Sequence, residues 1–237
     1  MAPLPAAMPA SHLGFSRDSR PQRELRTTSR CAYPAWSSAA HVESSFTTLL
    51  GIALGIGIAA ATGFRIFVPL LIAGIAARAD WISLNDSFVW LASTPALITL
   101  GTAAVCEMLA YYIPGVDHAL DVIAGPAAVA AGIIASASVM TDIPPAAMWP
   151  LAIIAGGGAA GLTKGGTALV RAKTGAATAG LGNPIVSTAE TATATGLSVL
   201  AILLPIVCLL IVLAILVWAL RKMLRFAAAR RQRRNMP

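Results

Sequence analysis

From Leu197 to Leu220 the chain runs 24 residues without a charged side chain. At ~1.5 Å per residue this is about 36 Å of helix, enough to cross about 30 Å of hydrocarbon with some tilt. Such a run fixes the solvent before it fixes the fold. Inside a bilayer every backbone N–H and C=O must be satisfied within the protein, which leaves only helices and closed barrels. The rest of the chain agrees: 57% of residues are hydrophobic, 11% are charged, and the mean hydropathy is +0.76. A soluble domain carries roughly 25% charged residues. Aromatics are only 6%, so the apolar excess is aliphatic and small. Ala and Gly in this proportion let helix backbones approach closely in lipid. The expected fold is an all-α membrane protein of about six Ala/Gly-rich transmembrane or half-membrane helices.

The net charge of +7 would suit a nucleic-acid binder, but its distribution does not. Arg17, Arg20, Arg23, Arg26 and Arg30 precede the first apolar run, and Arg221, Lys222, Arg225, Arg230, Arg231, Arg233 and Arg234 follow the last. Basic flanks on a hydrophobic body are a topology signal and are drawn to anionic headgroups. They predict a multi-pass protein with both termini in the cytoplasm and no nucleic-acid partner. Three regions follow: a basic leader at 1–45, a membrane domain at 46–220, and a basic tail at 221–237. The leader has no sustained apolar period, so it is expected to be disordered; residues 1–41 are expected to be dispensable, with Val42 as a candidate translation start. No apolar segment in it resembles a secretory signal.

Thr47 to Ala77 is apolar apart from Thr62 and Arg65. One helix of that length would span about 46 Å, so a break is expected near Thr62-Gly63, giving helices at 47–61 and 64–78. Read as a re-entrant hairpin, the same stretch changes the crossing count. A third helix is expected over 88–112, ending at Ile113-Pro114-Gly115, and a fourth from Asp117 to Met140, with Pro126 inside it. A fifth is expected over 148–171, interrupted at 161–166. A polar stretch then fills 172–196, and a last helix covers 197–220. Trp81, Trp90, Trp149 and Trp218 fall near segment ends, where an aromatic belt belongs.

Gly57–Arg65 resembles Gly156–Lys164: each is a small-residue helix, then a break, then a basic residue. Glu107 and Glu190 each follow in turn. Paired broken helices mark the binding sites of many secondary transporters, although Ala/Gly-rich composition alone can also produce such a match. Arg65 is the sharpest feature, because a charge at mid-helix costs about 2.5–3.5 kcal/mol to insert. Either the break brings Arg65 to the water interface, where it snorkels, or it is buried and binds an anion or pairs with Glu107. Glu190 sits in a polar strip with Ser187, Thr188, Thr191 and Thr195, whose hydroxyls suit a solute or the helix backbone. Asp117 and Asp121 read as a helix cap and first-turn acid beside His118.

Other chemistries find no support in the sequence. Lys164 precedes glycines rather than following a phosphate-binding loop, and no serine-hydrolase or zinc-protease signature occurs. The glycines at 157, 161 and 165 fit small-xxx-small packing instead. Cys31, Cys106 and Cys208 have neither disulfide nor metal-ligand spacing. The chain is read as a non-enzyme without cofactor or metal.

Ala60-Ala-Thr-Gly-Phe-Arg65-Ile-Phe-Val-Pro69, Tyr111-Tyr-Ile-Pro-Gly-Val-Asp117, Gly156-Gly-Gly-Ala-Ala-Gly161 and Gly180-Leu-Gly-Asn-Pro184 occur in this order. Together they resemble the bacterial membrane proteins grouped as domain of unknown function 4126, over about 47–210. The resemblance implies a multi-pass protein of the bacterial inner membrane and assigns no activity. Two functions stay open. One is a small-solute or ion transporter or channel, lined by Arg65, Glu107, Lys164 and Glu190 where the breaks at 62–65 and 161–166 meet. The other is a structural or partner-binding membrane protein. The expected partners are the lipid bilayer, a small solute or ion, and a second copy of the chain.

Overall fold

A computed structural model describes residues 36–111, 113, 116–178 and 182–234. The chain divides at Ser37, and the unit from Ser38 onward carries the membrane fold. Its described residues are almost wholly helical. They form α1 (Trp36–Thr62), α2 (Phe67–Arg78), a 3-10 helix (Asp86–Ala92), α3 (Thr94–Ala110), α4 (Val116–Ser138), α5 (Pro145–Leu151), a π-helical segment (Ala152–Gly157), α6 (Gly158–Thr178), α7 (Asn183–Leu203) and α8 (Pro205–Arg234). Among the described residues, four stretches are long and apolar enough to cross a membrane: 45–62, 145–178, 184–203 and 205–222. The 3-10 helix and α3 pass the same test only when taken together, with a 66° bend at their break, as a broken span or a re-entrant loop would have; α2 and residues 122–138 are shorter apolar helices. The all-α membrane class expected from composition is the class observed.

The breaks have local causes. α1 closes with Thr62, whose hydroxyl donates back to the Ala59 carbonyl at 2.7 Å, and with turns at Gly63 and Phe64. This is the break that the length of 47–77 required. α2 ends where Asp80 takes a left-handed conformation (φ 59°) and the Trp81 N–H returns to the Ala76 carbonyl at 2.9 Å. That 6→1 bond is the closure left-handed caps provide, and Asp is among the few non-glycine residues that reach this region at low cost. Asn85 ties the following loop to the end of α4, donating from its backbone to Ser138 O at 2.8 Å and from its side chain to Met140 O at 3.2 Å.

Residues 36–45 of the expected leader are helical and form the start of α1, while residues 1–35 lie outside the described residues. Three expectations need correcting. The expected interruption at 161–166 is absent: α6 runs through it, and the irregularity falls earlier, in the π-helical turn after Pro150. Proline removes an amide from the helical ladder, and a widened turn absorbs the mismatch. The single helix expected over 197–220 is two. Leu204, just before Pro205, sits at φ −139° and ψ 71°, because a residue preceding proline is pushed out of the α region. The stretch 172–196, read as a polar connection, is mostly helix in α6 and α7.

Glycines let three of these elements touch backbone to backbone. A Cβ on Gly156 would lie 2.8 Å from the Gly132 carbonyl, and one on Gly63 would lie 2.6 Å from the Ala160 carbonyl. α1, α4 and the π-helix–α6 run therefore share one close-packed seam, with Ile58, Ala131, Ala135 and Ala159 in the core between them. Of the glycines expected to pack at four-residue spacing, Gly157 and Gly161 meet Val129 on α4, whereas Gly165 meets nothing outside its own helix. α8 lies outermost: only 12% of its membrane segment is buried. The Phe88 and Trp149 rings lie 6.3 Å apart and bring the 3-10 helix against α5.

Candidate functional site

Arg65 lies in the short link between α1 and α2 and is completely buried. Of the two readings the sequence left open, the snorkelling one is therefore excluded. Its Nε donates to Thr191 Oγ1 at 3.0 Å, and its Nη2 donates to the Ser187 carbonyl at 2.8 Å and to the Ser187 hydroxyl. Both partners belong to the polar strip of α7, so that strip serves a protein cation in addition to its own helix backbone. Nη1 of Arg65 is buried and has no hydrogen-bond partner among the described residues.

Glu107, near the end of α3, is also buried. It does not bond Arg65 directly. Its two oxygens accept from the backbone N–H groups of Ile66 at 3.0 Å and Phe67 at 3.2 Å. These are the orphan donors at the start of α2, where a carboxylate is favoured by both hydrogen bonding and the helix dipole. Pro69, two residues further on, has no N–H to satisfy. The Arg-Ile-Phe-Val-Pro segment thus builds a helix start that needs one external acceptor, and α3 supplies it. Glu107 remains within electrostatic reach of Arg65, as do Glu190 and Arg171.

Lys164 and Glu190 come to the same region from α6 and α7, both buried. Glu190 receives Nε of Arg171 at 2.9 Å and Nη2 of Arg171 in a two-pronged ion pair. Lys164 Nζ lies 3.4 Å from the Tyr111 hydroxyl. Tyr111 is the centre of the group. The Arg65 guanidinium carbon is 4.5 Å from its ring centroid, that of Arg171 is 4.0 Å away, and Lys164 Nζ is 5.8 Å away. All four residues singled out from the sequence are therefore brought together, although the break expected at Lys164 does not exist.

Two members lie outside the candidates the sequence offers: Arg171, the last residue of the helix expected over 148–171, and Tyr111, near the end of the helix expected over 88–112. The available signal was helical spacing: Lys164, Thr167 and Arg171 repeat at the three- and four-residue steps of one helix face, and all are buried. The side chains of Asp117, His118, Asp121 and Asn183, and residues 112, 114–115 and 179–181, lie outside the described residues. Among the described residues no three His, Cys, Asp or Glu side chains cluster as metal ligands.

Buried ionisable groups inside a helical bundle of this hydropathy define a polytopic α-helical membrane protein with a polar, charged centre. A family model described as Domain of unknown function (DUF4126) matches residues 52–225, and the chain belongs to that family. Neither the curated proteins nor the solved structures searched contain a match to it.

Proposed function

We propose that this protein binds and passes a small anion at the cluster of Arg65, Tyr111, Lys164 and Arg171, acting as a transporter or channel and not as an enzyme. One observation carries the reading: Arg65 is wholly buried, yet its Nη1 has no hydrogen-bond partner among the described residues. Buried polar groups are rarely left in this state, and intramembrane cations usually mark an ion or substrate pathway. Among the described residues, the Glu107 carboxylate is engaged by amides and that of Glu190 by Arg171, so neither bonds Arg65. The membrane is read as the bacterial inner membrane, with the basic end of α8 in the cytoplasm.

Flux of chloride, nitrate, formate and acetate into proteoliposomes tests the reading. The wild type should pass at least one of them, Arg65→Lys should reduce that flux, and Arg65→Ala should abolish it. Absence of flux and of any anion-dependent thermal stabilisation in the wild type would overturn the proposal. The second reading is a purely structural cluster that locks α2, α3, α6 and α7 together. The buried two-pronged Arg171–Glu190 pair favours it, since it ties α6 to α7 directly. Loss of stability in Arg65→Ala without any anion effect in the wild type is the outcome that reading requires.

A further inference from the structure

We propose that the outer cleft between α6, α7 and α8 is a binding site for an anionic phospholipid, with an acyl chain in the cleft and the headgroup against Lys222 and Arg225. The cleft holds about 480 Å³ and is walled by apolar side chains including Leu162, Val170, Ile185, Leu216 and Trp218. Its volume lies within the roughly 300–1,000 Å³ of small-ligand sites, and its lining is too apolar to hold the small anion of the central cluster. Several of its walls face outward: Ile185 and Val170 are exposed.

The headgroup end follows from the register of α8. Ile215, Trp218, Lys222 and Arg225 recur at three- and four-residue steps and so share one helix face. Ile215 and Trp218 line the cleft. Lys222 Nζ lies 4.7 Å from the Trp218 ring centroid, and Lys222 and Arg225 are exposed. The face therefore passes from apolar wall to interfacial tryptophan to two cations. That order complements a lipid, whose chain, glycerol region and phosphate follow in the same sequence. Tryptophan prefers the headgroup level, and juxtamembrane Lys and Arg attract anionic headgroups. A zwitterionic lipid would fill the cleft equally well but would gain less from the cations, so the committed occupant is the anionic one. Glu190 and Thr167 reach the inner wall of the cleft, but this inference does not depend on the anion reading of the central cluster.

The test is thermal unfolding of the full chain in detergent, with added phosphatidylglycerol or phosphatidylcholine of identical acyl chains. Phosphatidylglycerol should raise the Tm of the wild type by several degrees more than phosphatidylcholine. K222Q/R225Q should erase that difference and leave the phosphatidylcholine effect intact. Gly166 lines the cleft, and a Cβ there would meet no other element within 4 Å. G166F should therefore fill the cleft without a clash and reduce stabilisation by both lipids. V170W, at an exposed wall, provides the same test should G166F unfold. Equal stabilisation by the two lipids, a preference retained in K222Q/R225Q, or full lipid stabilisation in both cleft-filling variants would overturn the proposal.

Discussion

Arg171 on α6 and Glu190 on α7 meet in a two-pronged ion pair whose side chains are 4% and 5% exposed. Such a pair costs desolvation on both sides and recovers it only through geometry, so its value shows when it is half removed. Arg171→Met should destabilise the protein by about 3–5 kcal/mol, because Glu190 is left as a buried uncompensated charge. Arg171→Met with Glu190→Leu should regain most of that loss. A double-mutant cycle by unfolding in detergent checks it, and strict additivity would show that the two residues do not act as a pair.

Glu107 offers a second, separable test. Its oxygens receive the Ile66 and Phe67 amides at the start of α2. Glu107→Gln keeps one acceptor oxygen and turns the other into an NH2 that cannot accept, so one of the two amides loses its partner and the cost should be about 1 kcal/mol, less than losing both. Glu107→Ala leaves buried amides without an acceptor and should cost about 1–3 kcal/mol. Equal losses in the two variants would mean that charge, not hydrogen bonding, holds the start of α2.

The seam of glycines predicts opposite signs for one substitution at two sites. A methyl group on Gly63 would press on the Ala160 carbonyl at 2.6 Å and on Thr163. Backbone cannot yield as a flexible side chain can, so Gly63→Ala should destabilise by about 1–3 kcal/mol. Gly158 faces open space, with nothing within 4 Å. There Gly158→Ala should be neutral or stabilise by up to about 1 kcal/mol through helix propensity. Comparing the two Tm values checks it.

The legibility of this fold in its sequence depended on which term dominated each segment. Hydropathy and length gave the membrane class, the break after Thr62 and the candidates Arg65, Glu107, Lys164 and Glu190, because inserting a charge is costly enough to dominate the pattern. The same reasoning failed where glycine was taken as a helix breaker. Gly165 and Gly166 are inside α6, since in lipid a helix has no aqueous alternative for its backbone. It failed again at 172–196, where Thr and Ser were taken for a connection. Ser187, Glu190, Ala194, Ser198 and Ala201 are buried at helical spacing along α7, and hydroxyls such as Thr191 and Thr195 bond the carbonyl four residues back. The pairing of Arg171 with Glu190 joins positions 19 residues apart on two different helices. No local pattern announces it.

Tyr111 yields the last prediction. Its ring lies 4.5 Å from the Arg65 guanidinium carbon and 4.0 Å from that of Arg171, and its hydroxyl is 3.4 Å from Lys164 Nζ. The ring and the hydroxyl do different work. The π face offers negative charge density to two guanidinium groups in a desolvated site, where each such contact is worth about 2 kcal/mol. The hydroxyl gives Lys164 one long hydrogen bond, worth about 1 kcal/mol or less. Tyr111→Phe keeps the faces and should cost under about 1 kcal/mol. Tyr111→Leu keeps the apolar bulk but removes both faces, and should cost about 2–4 kcal/mol. Two cations would then face an apolar side chain in place of the π system, so adding Arg171→Met and Glu190→Leu should relieve part of the Tyr111→Leu penalty. Unfolding of the three variants in detergent decides the matter. If Tyr111→Phe proves as costly as Tyr111→Leu, the hydroxyl, through Lys164, is what holds the cluster, and the stacking of the guanidiniums is incidental.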